Sequence, residues 1–472
     1  GMNGERNGGE RGGSRRVKDE RDSEERDNEF PRLTSMSTDD DDVFERGEDE
    51  TTDASNSKMR GLLTRITPSW PMNGGETGAR LKQKMTSAWF NVKYNSRWVS
   101  SAYEDYDKGS VIVLLSKFYS LSGRKMDREY AFHQFNDDYV SRIWLTYRNG
   151  FSPLHQVSLL SSAASLSSSS SGITSDCGWG CTLRSAQMMM AQTMVGLHLG
   201  RDWRWNVQEK DKELRREELI HNEIISLFLD SRSSPFSLHS LLEEEGERVG
   251  KWFTPSQAFH LIKRALSRSS SPLTSGIELD IIVDGAVDIS QLESKTANWT
   301  RRLILVICVR MGLNEMNQVY STHIRHLLQS PSSLGIVGGQ KNRSVYFIGY
   351  TGEEVIFLDP HVSHSSIPSL SPLSSSSDTS SFHSSLLSKF PLTSMDPSCA
   401  IGFIFNNQLE LMETVRHLNK AGILDLEEGE GVSRRNEYPL FTVFMKRPPT
   451  KDCIDVTQEE REIAERNDFN LL

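Results

Sequence analysis

Thr174-Ser175-Asp176-Cys177-Gly178-Trp179-Gly180-Cys181 runs without a break into Thr182-Leu183-Arg184-Ser185-Ala186-Gln187, and this passage decides what kind of domain the chain builds. Leu183, Ala186, Met190, Met194 and Leu197 recur at helical spacing, and Gly200 supplies a stop. The spacing predicts a helix starting near Thr182, with Cys181 at its N-terminus. A thiol attacks as a thiolate, and the free N–H groups and dipole of a helix N-terminus favour negative charge. Gly178 and Gly180 let the backbone turn sharply and approach a substrate closely. The same N–H groups are suited to an oxyanion formed when a carbonyl is attacked. Two other readings stand beside this one: a buried structural cysteine next to glycines that shape a turn, and a zinc site on Cys177 and Cys181. The C-x3-C spacing, with no second cysteine pair, speaks against zinc.

Downstream, the apolar run Val355-Ile356-Phe357-Leu358 leads into Asp359-Pro360-His361. A residue before proline is pushed to extended geometry, and proline fixes its own φ. Asp359 and His361 are therefore expected to project from an extended strand end towards the same side. An imidazole there accepts the thiol proton, while the carboxylate orients the ring and stabilises its cation. Taken alone, Asp-Pro also reads as a plain turn followed by a surface histidine. His364, deeper in a serine-rich tract, is the weaker candidate base.

Around these two motifs the chain alternates between foldable and unfoldable composition. Residues 1 to about 78 are rich in Gly, Arg, Asp and Glu and poor in large apolar residues, which predicts a disordered extension. Ordered sequence is expected to begin near Thr86-Ser87-Ala88-Trp89-Phe90. Val111–Leu115 reads as a strand, Asp138–Tyr147 as a helix packing Trp144, and Glu217–Leu229 as another helix. Thr254-Pro255 is an N-cap followed by proline, opening a helix through Leu266. Leu303–Val309, Ser344–Tyr350, Ala400–Phe405 and Leu440–Met445 read as strands, with a helix over Glu410–Leu418. Helices early and strands late suggest an α+β domain. Serine-rich stretches at 157–171, 267–275 and 363–388 read as loop insertions without packed structure. The expected organisation is an extension over 1–78, one large folded domain over 79–448, and an acidic tail over 449–472.

A formal net charge of −10 argues against a nucleic-acid partner. No apolar run approaches bilayer length, and the opening residues carry no apolar h-region of a secretory signal. Five cysteines, odd and sparse over 472 residues, fit a reducing compartment, so the expected location is cytoplasmic.

The motifs TSDCGWGCTLRSAQ, GRDWRW at Gly200–Trp205 and SLGIVGGQKNRSVYFIGYTGEEVIFLDPH, in that order, resemble the autophagins. The likeness runs from about Lys82 to Phe405, and MTSAWFNVKY looks most like the longer vertebrate-type members. The resemblance implies a papain-like cysteine protease fold, with a central antiparallel sheet and the nucleophile at a helix N-terminus. It implies Cys181 as nucleophile, with His361 and Asp359 completing the triad, and leaves Cys177 a spectator. Tyr147 falls where the family has a tyrosine near the oxyanion site, against a packed core tyrosine as the plain alternative. Trp252 matches a tryptophan covering the groove, and Gln340, Lys341, Asn342 and Arg343 fall on a loop that masks the cleft. A core indole and an ordinary hairpin are the corresponding structural alternatives. The implied substrates are GABARAP-type ubiquitin-like modifiers, cut after a glycine or released from phosphatidylethanolamine on membranes, with no cofactor or metal. Thr182, Ala186 and Asn149-Gly150 depart from the family's usual residues without touching this chemistry.

The final residues place Phe469 three positions before Leu472, behind acids, and resemble a motif that adds as a strand to ubiquitin-like folds. Two alternatives remain at this level: a catalytically idle scaffold for such modifiers, and another thiol hydrolase or transferase on a related fold. The intact Cys181, His361 and Asp359 favour the enzyme.

Overall fold

Apolar alternation along Leu303-Ile304-Leu305-Val306-Ile307 divides the interior in two. Leu303, Leu305 and Ile307 join one core, and Ile304 and Val306 join another on the opposite face of the strand. The computed structural model describes residues 106, 109–155, 172–205, 212–340, 342–370, 379–428 and 436–447. The expected extension over 1–78, Lys341, the 157–171 stretch and the tail with Phe469 and Leu472 lie outside the described residues.

The main sheet runs in the order Ser388–Pro391, Glu354–Leu358, Arg343–Thr351, Ser333–Gln340, Ser398–Phe405, Arg302–Arg310 and Ile277–Ile282. Val111–Leu114 also pairs with Arg343–Thr351, and Lys117–Ser120 pairs with Val111–Leu114. These pairings are antiparallel, except that Ile277–Ile282 lies parallel to Arg302–Arg310. The fold is thus α+β and papain-like, around a central, predominantly antiparallel sheet.

The helix Cys181–His198 lies on this sheet and is buried continuously from Cys181 to Val195. The stripe read from the sequence is only part of its apolar surface. Close approach is set at Gly402, where an added Cβ would come within 2.4 Å of Met189 Sδ. The helix Pro255–Arg268 packs beside it and starts as expected, Thr254 and Gln257 forming a capping box with proline in the first turn. On the other face, Ile324, Leu327 and Leu328 of the helix Tyr320–Gln329, and Leu411, Val415 and Leu418 of the helix Gln408–Lys420, close the second core.

Three expectations differ from the structure. Among the described residues the first helix covers Lys125–Val140, not Asp138–Tyr147. Phe132, Phe135 and Tyr139 form its buried face at helical spacing, hidden in the sequence among charged neighbours. Tyr147 instead begins the strand Tyr147–Leu154, paired with Ser363–Ser365 and Ile173–Ser175. The stretch 267–275 is packed: Pro272–Thr274 forms a 3-10 turn, Leu273 enters the core, and Thr274 Oγ1 donates to Ser271 O at 2.8 Å. The described part of 363–388 is packed as well. Phe382 and Leu387 are buried, and His383 stacks on Trp205 with ring centroids 3.9 Å apart. Serine supplies little apolar area, so isolated large side chains anchor these stretches.

Candidate active site

The segment ahead of the nucleophile is locked by charge. Asp176 is fully buried; its Oδ1 accepts the Arg148 N–H at 2.6 Å and its Oδ2 accepts from Arg184 Nε at 2.7 Å. Arg184 extends the relay to Asp230 Oδ1 at 3.0 Å. Gly178 takes φ 91°, a left-handed conformation that glycine adopts without strain. Gly180 is required by contact, because a Cβ there would fall 2.6 Å from Asp176 Oδ2. The close approach at Gly180 is thus made to Asp176, where a substrate was expected. Cys181 follows as the first residue of its helix, where the opening N–H groups have no intrahelical acceptor.

The base arrives from the Glu354–Leu358 strand, but through a turn. The strand ends at Leu358, and Asp359 Oδ1 accepts the His361 backbone N–H at 3.1 Å while lying 2.6 Å from His361 Nδ1. The aspartate thus folds back on a residue two positions on, as Asp commonly does in turns. The pairing expected from strand alternation exists, with a different cause. Trp144 Nε1 donates to Asp359 O at 2.7 Å, and Tyr139 Oη to Phe357 O at 3.0 Å. These bonds fix the strand end.

The His361 side chain, the backbone N–H of Ser344 and the hydroxyl of Tyr147 are the groups that act on the Cys181 thiol. Burial pushes the Cys181 thiol up, but the hydrogen bond and charge of His361, followed by the Ser344 and Tyr147 contacts, hold it below its ordinary value. Burial pushes His361 down, and the Asp359 charge and hydrogen bond, with Cys181, raise it above the usual imidazole range. The Asp359 carboxyl is raised by burial and lowered further by His361 and Arg343, ending at about 2. All three directions favour a thiolate–imidazolium pair steadied by a carboxylate.

Tyr147 is buried, its ring meeting the His361 ring edge-on at 5.3 Å. Its hydroxyl is held well above the ordinary phenol range by burial and the Cys181 charge, so it remains a donor. Trp252 is 53% exposed, and its Nε1 donates to Gly178 O at 2.6 Å. It lies over the nucleophile segment and is no core indole. Gln340 and Arg343 pair across a hairpin whose Asn342 takes φ 62°. Cys177 Sγ donates to Ser363 Oγ at 3.3 Å. His364 bonds Thr146 Oγ1 through Nδ1 at 2.8 Å and packs against Trp144, apart from the sulfur's partners.

The sequence reading missed Asp176, Arg184, Asp230 and the Ser344 amide. Arg184 carried a signal, being a charge on an otherwise apolar helical segment, where it needs a buried carboxylate. Asp230 and the Ser344 amide carried none.

Known proteins share much of this sequence. The sequence model of the peptidase C54 catalytic domain matches residues 132–417. The cysteine protease atg-4.2 of Caenorhabditis elegans is 34% identical, the match covering 83% of this chain and 78% of the relative. The cysteine protease ATG4C of Xenopus laevis is 30% identical over 78% of this chain and 90% of its own length. The cysteine protease ATG4B of the same species is 31% identical over 73% and 88%. The chain therefore belongs to the peptidase C54 family, the autophagin cysteine proteases of autophagy.

Proposed function

We propose that Cys181, His361 and Asp359 are the catalytic triad of this cysteine peptidase, and that its substrates are GABARAP-type ubiquitin-like modifiers. On this reading it cuts a precursor after a glycine and also hydrolyses the amide joining that glycine to phosphatidylethanolamine. The observation that carries the proposal is the His361 ring, held on Asp359 Oδ1 and acting on the thiol of Cys181 at the N-terminus of a buried helix.

Cys181 Sγ, as thiolate, adds to the carbonyl carbon of the glycine at the scissile amide. The oxyanion meets the N–H groups opening the helix, with the Tyr147 hydroxyl in reach. His361 gives its proton to the leaving amine, whether of a peptide or of phosphatidylethanolamine, and a thioester forms. Water then adds, its proton passing to His361, and the collapse restores thiol and imidazole while releasing a glycine carboxylate. Trp252, lying over Gly178, and the 340–343 hairpin would roof a slot narrow enough to favour glycine.

The peptidase domain is read as 79–448, with Phe469 and Leu472 of the 449–472 tail holding the modifier. The reducing cytosol is its proposed location. Among the described residues no helix is long and apolar enough to cross a membrane, so access to a conjugate would come from bound modifier. The test supplies a glycine-ending precursor with a C-terminal extension, and separately the lipid conjugate in vesicles. Wild type is expected to process both and Cys181→Ala neither; full activity in the alanine variant would refute the nucleophile assignment.

A further inference from the structure

Two imidazoles outside the triad are buried against each other. His221, on the helix Lys212–Ser226, is 1% exposed, and His383, just after the turn Ser380–Phe382, is 7% exposed. Their Nε2 atoms lie 3.2 Å apart. His383 Nδ1 lies 2.8 Å from Val140 O, the carbonyl that ends the helix Lys125–Val140. A carbonyl only accepts, so Nδ1 carries the proton and Nε2 of the neutral ring is bare. His221 Nε2–H therefore donates to it, and both tautomers are fixed. Trp205 stacks on His383, and Trp203 packs on His221 with ring centroids 4.9 Å apart. This pair reaches the base through its neighbours. Phe382 O accepts the Trp144 backbone N–H at 2.8 Å, and Trp144 Nε1 donates to Asp359 O. Tyr139 Oη sits 2.8 Å from Leu386 O and 3.0 Å from Phe357 O. The segment 382–386 thus shares Trp144 and Tyr139 with the strand end that carries Asp359.

We propose that His383 is a positioning residue for the Asp359 carboxylate, and that it holds this place only while the His221–His383 pair is neutral. The proposal deepens the catalytic reading above and rests on Cys181, His361 and Asp359 being the reacting groups. Among the described residues, the charged and titratable groups acting on the two rings are each other and Arg142. No carboxylate is among them, and Arg142 is itself paired with Asp138. Burial pushes His221 down to about 4, against a weaker pull from the Asn222 side chain. Burial and the His221 and Arg142 charges push His383 well below the usual imidazole range, with the Val140 bond opposing them. A proton on His383 Nε2 would set two N–H groups face to face. One on His221 Nδ1 would bury an unpaired charge. The attraction of an imidazolium for the Trp205 face is the smaller effect. Released rings regain ordinary values, so release takes up a proton and is favoured as pH falls from 6.5 to about 4. Acid therefore loosens Phe382, then Trp144 and the backbone of Asp359, and turnover falls.

The test is amide exchange over 379–388, read by mass spectrometry on the full chain and corrected for its intrinsic pH dependence, beside kcat for precursor cleavage. In wild type, exchange is expected to rise roughly twentyfold from about pH 7 to about pH 5, the effect of one proton taken up at 6.5 against about 4. Over the same interval kcat should fall with KM little changed. His221→Gln keeps an N–H donor for His383 Nε2 and, with its amide turned, accepts from the protonated ring. Its exchange should rise less than about threefold, and its acid limb of kcat should move down by about half a pH unit or more. A residue that merely filled space would leave that limb in place. His383→Asn keeps a donor for Val140 O but does not titrate, and provides the same comparison if the glutamine variant does not fold. Its kcat at neutral pH should be roughly two- to tenfold lower, the effect of one lost hydrogen bond. Wild-type exchange within about twofold at the two pH values, or an acid limb unmoved in both variants, overturns the proposal. Failure of wild type to cut any precursor would count against the substrate reading instead, because exchange needs no substrate.

Discussion

The two halves of the active site are built to different standards. The nucleophile half, Thr174 to His198, is fixed by fully buried ion pairs, a glycine pressed against Asp176, and a helix buried from Cys181 to Val195. The base half hangs on the end of the Glu354–Leu358 strand, where one carboxylate is shared between His361 and Arg343. A sulfur that must be aligned to a fraction of an ångström sits in the rigid half. The His361 imidazole, proposed to exchange protons, sits in the adjustable one.

Replacing the sulfur should have the largest effect. Cys181→Ala is expected to reduce kcat/KM by roughly 10⁴-fold or more while modifier binding persists, read by gel cleavage and calorimetry. Asp359→Asn should come next, lowering kcat by roughly 10³–10⁴-fold through the wrong imidazole tautomer. Because folding lowers the Asp359 carboxyl to about 2, its stabilising contribution is complete above the unfolded value and is lost as pH falls towards 2. Acid titration of the two proteins should therefore converge at low pH.

Asp176→Ala removes one of the two buried carboxylates that hold Arg184 and leaves Asp230 alone to pair it, where breaking a buried pair costs about 3–5 kcal/mol. Urea unfolding should show that loss and a smaller one for Arg343→Gln, whose pair lies nearer the surface. Equal losses would erase the distinction between the halves. The smallest effect belongs to Trp252→Phe, which keeps the ring and removes the N–H bonded to Gly178 O. About 0.5–1.5 kcal/mol is expected, seen mainly as a raised KM.

Much of this site was legible in the sequence because its parts are local. Gly180-Cys181 before an apolar helical segment, and an apolar strand ending in Asp-Pro-His, each carry their geometry within a few residues. What escaped depends on distant partners. Arg184 meets an aspartate 46 positions away, and Arg343 meets Asp359 only because two strands pair. The Lys125–Val140 helix was hidden because Phe132, Phe135 and Tyr139 are spaced among charged residues. The serine-rich tracts read as unpacked because composition averages away single anchors such as Leu273 and Phe382.

The most direct measurement is a pH titration of the Cys181 thiolate by ultraviolet absorbance, taken as wild type minus Cys181→Ser, with and without His361→Ala. A midpoint below the free-cysteine value of about 8.5, rising when His361 is removed, is the predicted result. A midpoint at or above that value in wild type, indifferent to His361, would mean that the two groups do not form a reactive pair.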